Sequence, residues 1–132
     1  MKKFGFSKDK RLTKNSDFSR ILSKKIRFSD GFLVLFVDEN SLGYPRLGVA
    51  VGRHFGNAVL RNRLKRLLRE SFRKNQIEIP SGFDYVLMFS RQIFKGLSDE
   101  QIKQRLKTVS YEEVESSFIG LVKRFEKKNA GR

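Results

Sequence analysis

Two hydrophobic periods interleaved along 132 residues predict a single α+β domain. Runs rich in β-branched and aromatic residues at 32–37, 46–51 and 84–89 read as strands, while leucines three and four residues apart from Leu60 to Leu68 read as a helix with one buried face. Thirteen Phe supply material for one core, and neither a repeat nor a linker divides the chain. The expected order is α-β-β-α-β-α over residues 1–132, with 1–14 as a flexible basic arm.

The elements follow from local signals. Residues 1–14 carry Lys2, Lys3, Lys8, Lys10, Arg11 and Lys14 against Asp9 alone, a composition that keeps a segment extended. Asn15 is the expected N-cap of a short helix reaching about Lys24, with Phe18, Ile21 and Leu22 on one side and Asp17 in its first turn. The run at 32–37 lies between Asp30-Gly31 and Asp38-Glu39-Asn40, and the run at 46–51 is expected to pair antiparallel with it. Residues 52–56 make a turn, Asn57 caps the next helix, and Pro80-Ser81-Gly82 separates that helix from the strand at 84–89. Ser98 with Gln101 and Ser110 with Glu113 have capping-box spacing. The first opens a short helix with Ile102 and Leu106; the second opens a final helix with Tyr111, Val114, Phe118, Val122 and Phe125 on one face.

Composition narrows the function. Twenty-nine Lys and Arg against 14 Asp and Glu give a formal net charge of +15. A field of that sign concentrates polyanions, nucleic acid first and an anionic membrane surface second. The absence of Cys excludes disulfides and thiolate metal sites, and a single histidine, His54, excludes a His-rich metal centre. No apolar run approaches the roughly 20 residues a membrane helix needs, and no signal-peptide core opens the chain, so a cytoplasmic protein is expected.

The charge is concentrated. Residues 53–74 hold eight Lys or Arg against one acid, Glu70. Plotted at about 100° per residue, Leu60, Leu64, Leu67, Leu68 and Phe72 form the core arc. Arg61, Lys65, Arg66, Arg69 and Arg73, with Asn62 among them, form the opposing arc. Arginine presents a planar, permanently charged fork that matches phosphate and stacks on bases, so this face suits nucleic acid. The preceding turn Gly52-Arg53-His54-Phe55-Gly56-Asn57 places a basic pair before a helix N-terminus, where backbone amides can approach an anion. It lacks the Lys-Ser/Thr of a Walker loop. His54 has no carboxylate neighbour in sequence to orient it as a base, and reads as a further nucleic-acid contact.

Gly56-Asn57-Ala58-Val59-x-Arg61-Asn62-Arg63-x-Lys65-Arg66-x-x-Arg69-Glu70-x-x-Arg73 resembles the signature of the bacterial ribonuclease P protein component. Arg11-Leu12-x-Lys14-x-x-Asp17-Phe18 resembles that family's N-terminus. The resemblance implies the small subunit of a ribonucleoprotein that removes the 5′ leader of precursor tRNA, with Mg²⁺ held mainly by a catalytic RNA subunit and by substrate; the catalytic RNA and precursor tRNA are the expected partners, and no protein partner is evident in the sequence. It implies a fold like the second domain of a ribosomal small-subunit protein, with a left-handed βαβ crossover where general rules expect a right-handed one. It assigns Arg53, His54, Asn57, Arg61, Asn62, Arg63, Lys65, Arg66, Arg69 and Arg73 to the catalytic RNA. Phe18, Leu22 and Phe36 fall to a cleft for the single-stranded leader. Sequence-tolerant stacking of unpaired bases on aromatic rings supports that cleft, although core packing explains Phe18 and Phe36 equally well. This chain departs from the family pattern with Leu22 for an aromatic residue and His54 for lysine. Its segment 91–108 is also long and has no assigned role.

Three other readings compete. A non-catalytic RNA-binding protein or RNA chaperone would share the charge. A stand-alone nuclease would need clustered carboxylates, for which Asp17, Asp38, Asp84 and Glu70 show no motif. A membrane-surface role would need the apolar helix face that the core already uses.

Overall fold

The computed structural model describes residues 8–131. Helix α1 (Asn15–Ser23) leads into strands β1 (Arg27–Ser29), β2 (Leu33–Glu39) and β3 (Arg46–Ala50). Helix α2 (Ala58–Asn75) then precedes β4 (Phe83–Phe89), α3 (Asp99–Lys107) and α4 (Tyr111–Ala130). The strands form one mixed sheet in the order β1-β2-β4-β3.

Strand β4 sits at the centre, antiparallel to β2 and parallel to β3. The expected antiparallel pairing of residues 46–51 with 32–37 is therefore corrected: β3 pairs with β4 rather than with β2. The reason is burial. Asp84, Tyr85, Val86 and Leu87 are all buried, so β4 needs a hydrogen-bonded neighbour on each side. Residues 40–45 carry the chain across the gap that β4 fills, and α2 returns it as a parallel crossover. Strand β1, three residues long, has no counterpart among the sequence-based expectations.

Alternation divides the sheet residues between two layers. Leu33, Leu35, Val37, Leu47, Tyr85, Leu87 and Phe89 join Leu64, Leu68 and Phe72 of α2 and Val114, Phe118, Leu121, Val122 and Phe125 of α4 in the main core. Val86 and Ile21 form a smaller cluster on the opposite face with Leu12, with Phe18, Phe36 and Met88 packed against it. Helix α1 and Leu12 of the segment before it cover that face.

The helix starts follow their caps. The Asn57 side chain accepts from Leu60 N–H, and both expected capping boxes are present; a cap of this kind contributes about 1 kcal/mol. Helix α1 differs from expectation. Its N-cap is Lys14, without a side-chain cap, and Asn15 is the first helical residue. The Lys14 carbonyl already accepts from both Asp17 and Phe18 N–H, which draws the helix start back by one residue.

The expected arm is partly anchored. Leu12 is buried and its N–H donates to Leu47 O at 2.8 Å, while Arg11 bridges Leu47 in parallel fashion. Lys10 Nζ donates to Gln76 Oε1 at 2.9 Å. Residues 8–14 thus run along the β3 edge toward α2; the remainder of the expected arm, residues 1–7, lies outside the described residues.

Candidate nucleic-acid interface

Helix α2 buries Leu64, Leu68, Ser71 and Phe72 and turns its charged side outward. Asn62, Arg66 and Arg69 are exposed, and Lys65 and Arg61 flank them half-buried. Arg61 Nε donates to Gly56 O at 3.1 Å, which ties that side chain to the preceding turn. Arg69 lies toward the anchored arm. Partial burial, and then the positive charge of Arg11, hold its guanidinium below its ordinary value. Two elements thus bring like charges together, an arrangement that favours a polyanion between or across them.

The structure separates Arg63 from this row. Its Nη2 donates to Val109 O at 2.7 Å and its Nη1 to Leu106 O at 3.4 Å, at the C-terminal end of α3. The last carbonyls of a helix lack intrahelical donors and carry partial negative charge, so a guanidinium there acts as a cap. Arg73 pairs with Glu70 through two nitrogens, and that pairing holds Glu70 below the usual carboxylate range.

The turn before α2 is pinned from beneath. Phe55 is buried against Phe89 and Phe94, and Gly56 adopts φ 119°, a conformation that favours glycine. Arg53 and His54 are left exposed on a 3-10 turn (Arg53–Phe55). The His54 ring lies tilted against Phe55, centroids 4.4 Å apart at 46°, and over Gly52, where a Cβ would meet it at 2.8 Å. Arg91 Nε donates to His54 Nε2 at 3.3 Å. Partial burial and then the Arg91 charge push the imidazole below its ordinary value, favouring the neutral acceptor form. The turn amides are partly engaged: Gly56 N–H donates to Arg53 O and Leu60 N–H to Asn57 Oδ1.

On the opposite side of the sheet, a groove of about 550 Å³ opens beside α1. Its apolar lining includes Leu22, Phe36, Val34, Met88 and Phe89, and its polar lining Arg27, Ser90, Arg91 and Gln92. The Arg27 guanidinium lies 5.8 Å from the Phe36 ring centroid. The structure therefore brings Leu22 and Phe36 together in one groove. Phe18 is not among the lining residues: its ring lies against Gly48 of β3, where a Cβ would come within 2.6 Å of it, and β4 separates Gly48 from Phe36 in the sheet. Sequence reasoning missed Arg27 and Arg91; the stretch 27–29 is too short to carry a period, and only the fold brings Arg91 to the groove.

Asp17, Asp38 and Asp84 do converge, on Arg20 of α1. The guanidinium is placed among their oxygens, and no group of three His, Cys, Asp or Glu side chains able to hold a metal occurs among the described residues. Asp84 is fully buried. It accepts from Arg46 Nε and Nη2, both at 2.7 Å, from Asn40 Nδ2 at 2.8 Å and from Arg20 Nη2 at 2.6 Å. Burial works to raise this carboxyl, but the hydrogen bonds from Arg46, Asn40 and Arg20 outweigh it and hold the group below its ordinary range.

Residues 6–126 match the family described as Ribonuclease P. The chain is 40% identical over 124 residues to the ribonuclease P protein component of Nitrosococcus oceani, covering 93% of this chain and 96% of that one. It is 33% identical over 121 residues to the component of Thermotoga maritima, covering 92% and 96%. Among solved structures, the Thermotoga maritima RNase P protein in complex with 1-(4-fluorophenyl)-2-thiourea superposes with a TM-score of 0.73 at 33% identity, covering 86% of this chain and 98% of that one. The Staphylococcus aureus RNase P protein gives 0.68 at 28% identity, covering 86% and 93%.

Proposed function

The chain belongs to the bacterial ribonuclease P protein family, and from that premise we propose that it holds the catalytic RNA on α2 and the single-stranded 5′ leader of precursor tRNA in the α1 groove. The observation that carries this reading is the outward row Asn62, Arg66 and Arg69, with Lys65 and Arg61 beside it, on a helix whose other face is locked in the core. A rigid row of cations displaces counterions from a phosphate backbone without first having to order itself. Arg53 and Asn57 border the row and extend the contact, while Arg73 is held by Glu70. His54, packed against Phe55 and pushed toward its neutral form by partial burial and then by Arg91, offers a ring and a hydrogen bond.

The groove suits unpaired nucleotides. Phe36 presents a half-buried ring with Arg27 above it and Leu22 across from it. Stacking on such a ring is worth about 1–3 kcal/mol per base and does not depend on sequence. Phe18 seats α1 against Gly48 and the Leu12, Ile21 and Val86 cluster, away from the groove lining. Arg63 acts inside the protein, holding α3.

Catalysis in this reading belongs to the RNA subunit, with Mg²⁺ held by RNA and substrate phosphates; the protein positions the two RNAs in the cytoplasm. No helix among the described residues is long and apolar enough to cross a membrane. The test is to incubate precursor tRNA with the protein, the RNA subunit, or both, at low Mg²⁺. Cleavage that requires the RNA, together with tighter precursor binding on adding protein, is expected. Mature 5′ ends from protein alone would overturn the assignment of catalysis to RNA. No effect on the RNA-catalysed reaction would favour an RNA chaperone instead.

A further inference from the structure

Asp38, Asp84 and Arg46 stand at one level of the sheet, on β2, β4 and β3, as successive cross-strand partners. Two carboxylates directly opposite each other repel. Arg46 takes one side of Asp84 in a bidentate grip, leaving the Asp38–Asp84 side uncompensated from within the sheet. Arg20 supplies the missing cation, bonding Asp38 with one terminal nitrogen and Asp84 with the other, with Asp17 of its own helix 3.5 Å away. The sheet therefore calls for α1 at this place electrostatically as well as by apolar contact.

Helix α1 needs such a tether. At nine residues, without a side-chain N-cap, it is too short to be stable alone. Its apolar seat is centred on the fully buried Ile21 near Val86, a non-directional contact that tolerates rotation and sliding. The guanidinium–carboxylate contacts are directional. Arg20 lies between Phe18 and Leu22, so fixing its position fixes where Leu22 stands across from Phe36.

We infer that Asp84, Arg46 and Arg20 are positioning residues for the groove, setting the height and rotation of α1 and hence the gap that receives the leader. The inference rests on the leader reading of that groove. Asp84 is wholly buried and cannot touch RNA, so its influence on RNA binding can only be indirect or long-range Coulombic. The two alternatives have opposite signs. Removing its negative charge would by Coulomb's law strengthen RNA binding, whereas loosening α1 weakens leader binding.

The experiment uses the holoenzyme reconstituted with its RNA subunit and compares affinities for leader-bearing precursor and mature tRNA. The variants are Asp84→Asn, Arg20→Met and, as a reference for the groove, Phe36→Ala. Asp84→Asn and Arg20→Met should each weaken leader-bearing precursor by about 3- to 10-fold, a partial loss of one stacked base. Mature tRNA and catalytic-RNA affinity should hold. Arg20→Met leaves the Asp84–Arg46 pair intact and carries the test if Asp84→Asn fails to fold. Because the chain has no cysteine, spin labels at Ser23→Cys and Lys95→Cys report the α1 position directly; their distance distribution should broaden in both variants.

Leader binding at or above the wild-type level in Asp84→Asn and Arg20→Met, with Phe36→Ala selectively impaired, would overturn the positioning role and leave the leader reading standing. A shallower salt dependence in Arg20→Met with an unchanged label distance would make Arg20 a direct phosphate contact and overturn it equally. If Phe36→Ala itself binds both tRNAs as wild type does, the groove is not the leader site and the inference falls with that reading.

Discussion

Arg20 and Arg66 are chemically identical and used in opposite ways. Arg20 sits among three carboxylates at the joint between α1 and the sheet. Arg66 stands exposed in a row of cations on α2. The chain has 14 acids for 29 Lys and Arg, and in the fold several of the acids hold arginines: Asp38 and Asp84 where α1 meets the sheet, Glu113 with Arg105 where α3 meets α4, and Glu70 with Arg73 within α2. Among the described residues, the outward row Asn62, Lys65, Arg66 and Arg69 receives none. Where an acid stands, the arginine beside it works for the fold. Where none stands, the positive field points out of the molecule toward a polyanion.

The contrast is broken most severely at Asp84. Asp84→Ala leaves Arg46 and Arg20 partly buried without their partner, and should cost about 3–5 kcal/mol of stability in a denaturant titration. A loss below about 1 kcal/mol would mean the clamp is a surface pair. The pH dependence has a definite sign. The folded carboxyl titrates below its ordinary value of 3.8, so the unfolded chain takes up the proton first. Stability from this group is complete above that value and is lost as the pH falls through the lower folded one. The variant should lose the corresponding part of the acid sensitivity.

Arg63 sharpens the contrast inside the motif itself. It lies two residues from Arg61, yet Arg63→Ala should behave like a structural change. A stability loss of about 1–3 kcal/mol is expected from the two carbonyls it leaves without a donor, with the salt dependence of RNA binding unchanged. A shallower salt dependence with intact stability would return Arg63 to the RNA face.

The division between these two uses of arginine was only half visible in the sequence. The outward row was legible because it follows from local periodicity: Leu60, Leu64, Leu67 and Phe72 fix the inner face, and the charged residues take what remains. Asn57, Ser98 and Ser110 were legible as caps for the same reason, each acting within three residues. Pairing was not legible. Asp84 meets Arg20 across 64 positions and Arg63 meets Val109 across 46. Whether β3 joins β2 or β4 depends on how α2 returns the chain. Asp84 at the head of an apolar strand did carry a signal, since a charge buried in a sheet must find partners, but the sequence does not say which. Phe36 is the intermediate case: from sequence its ring suited stacking and core packing equally, and only the fold placed Leu22, Arg27 and Arg91 around it.

The most direct test of the central claim, that the row on α2 grips the catalytic RNA through phosphates, is the salt dependence of that affinity. In Arg66→Ala/Arg69→Ala, stability should change by no more than about 0.5 kcal/mol per site. The slope of log K against log salt should become shallower by about 1.5–2, the value for two lost phosphate contacts. An unchanged slope, with the double variant folded as the wild type is, would contradict the account.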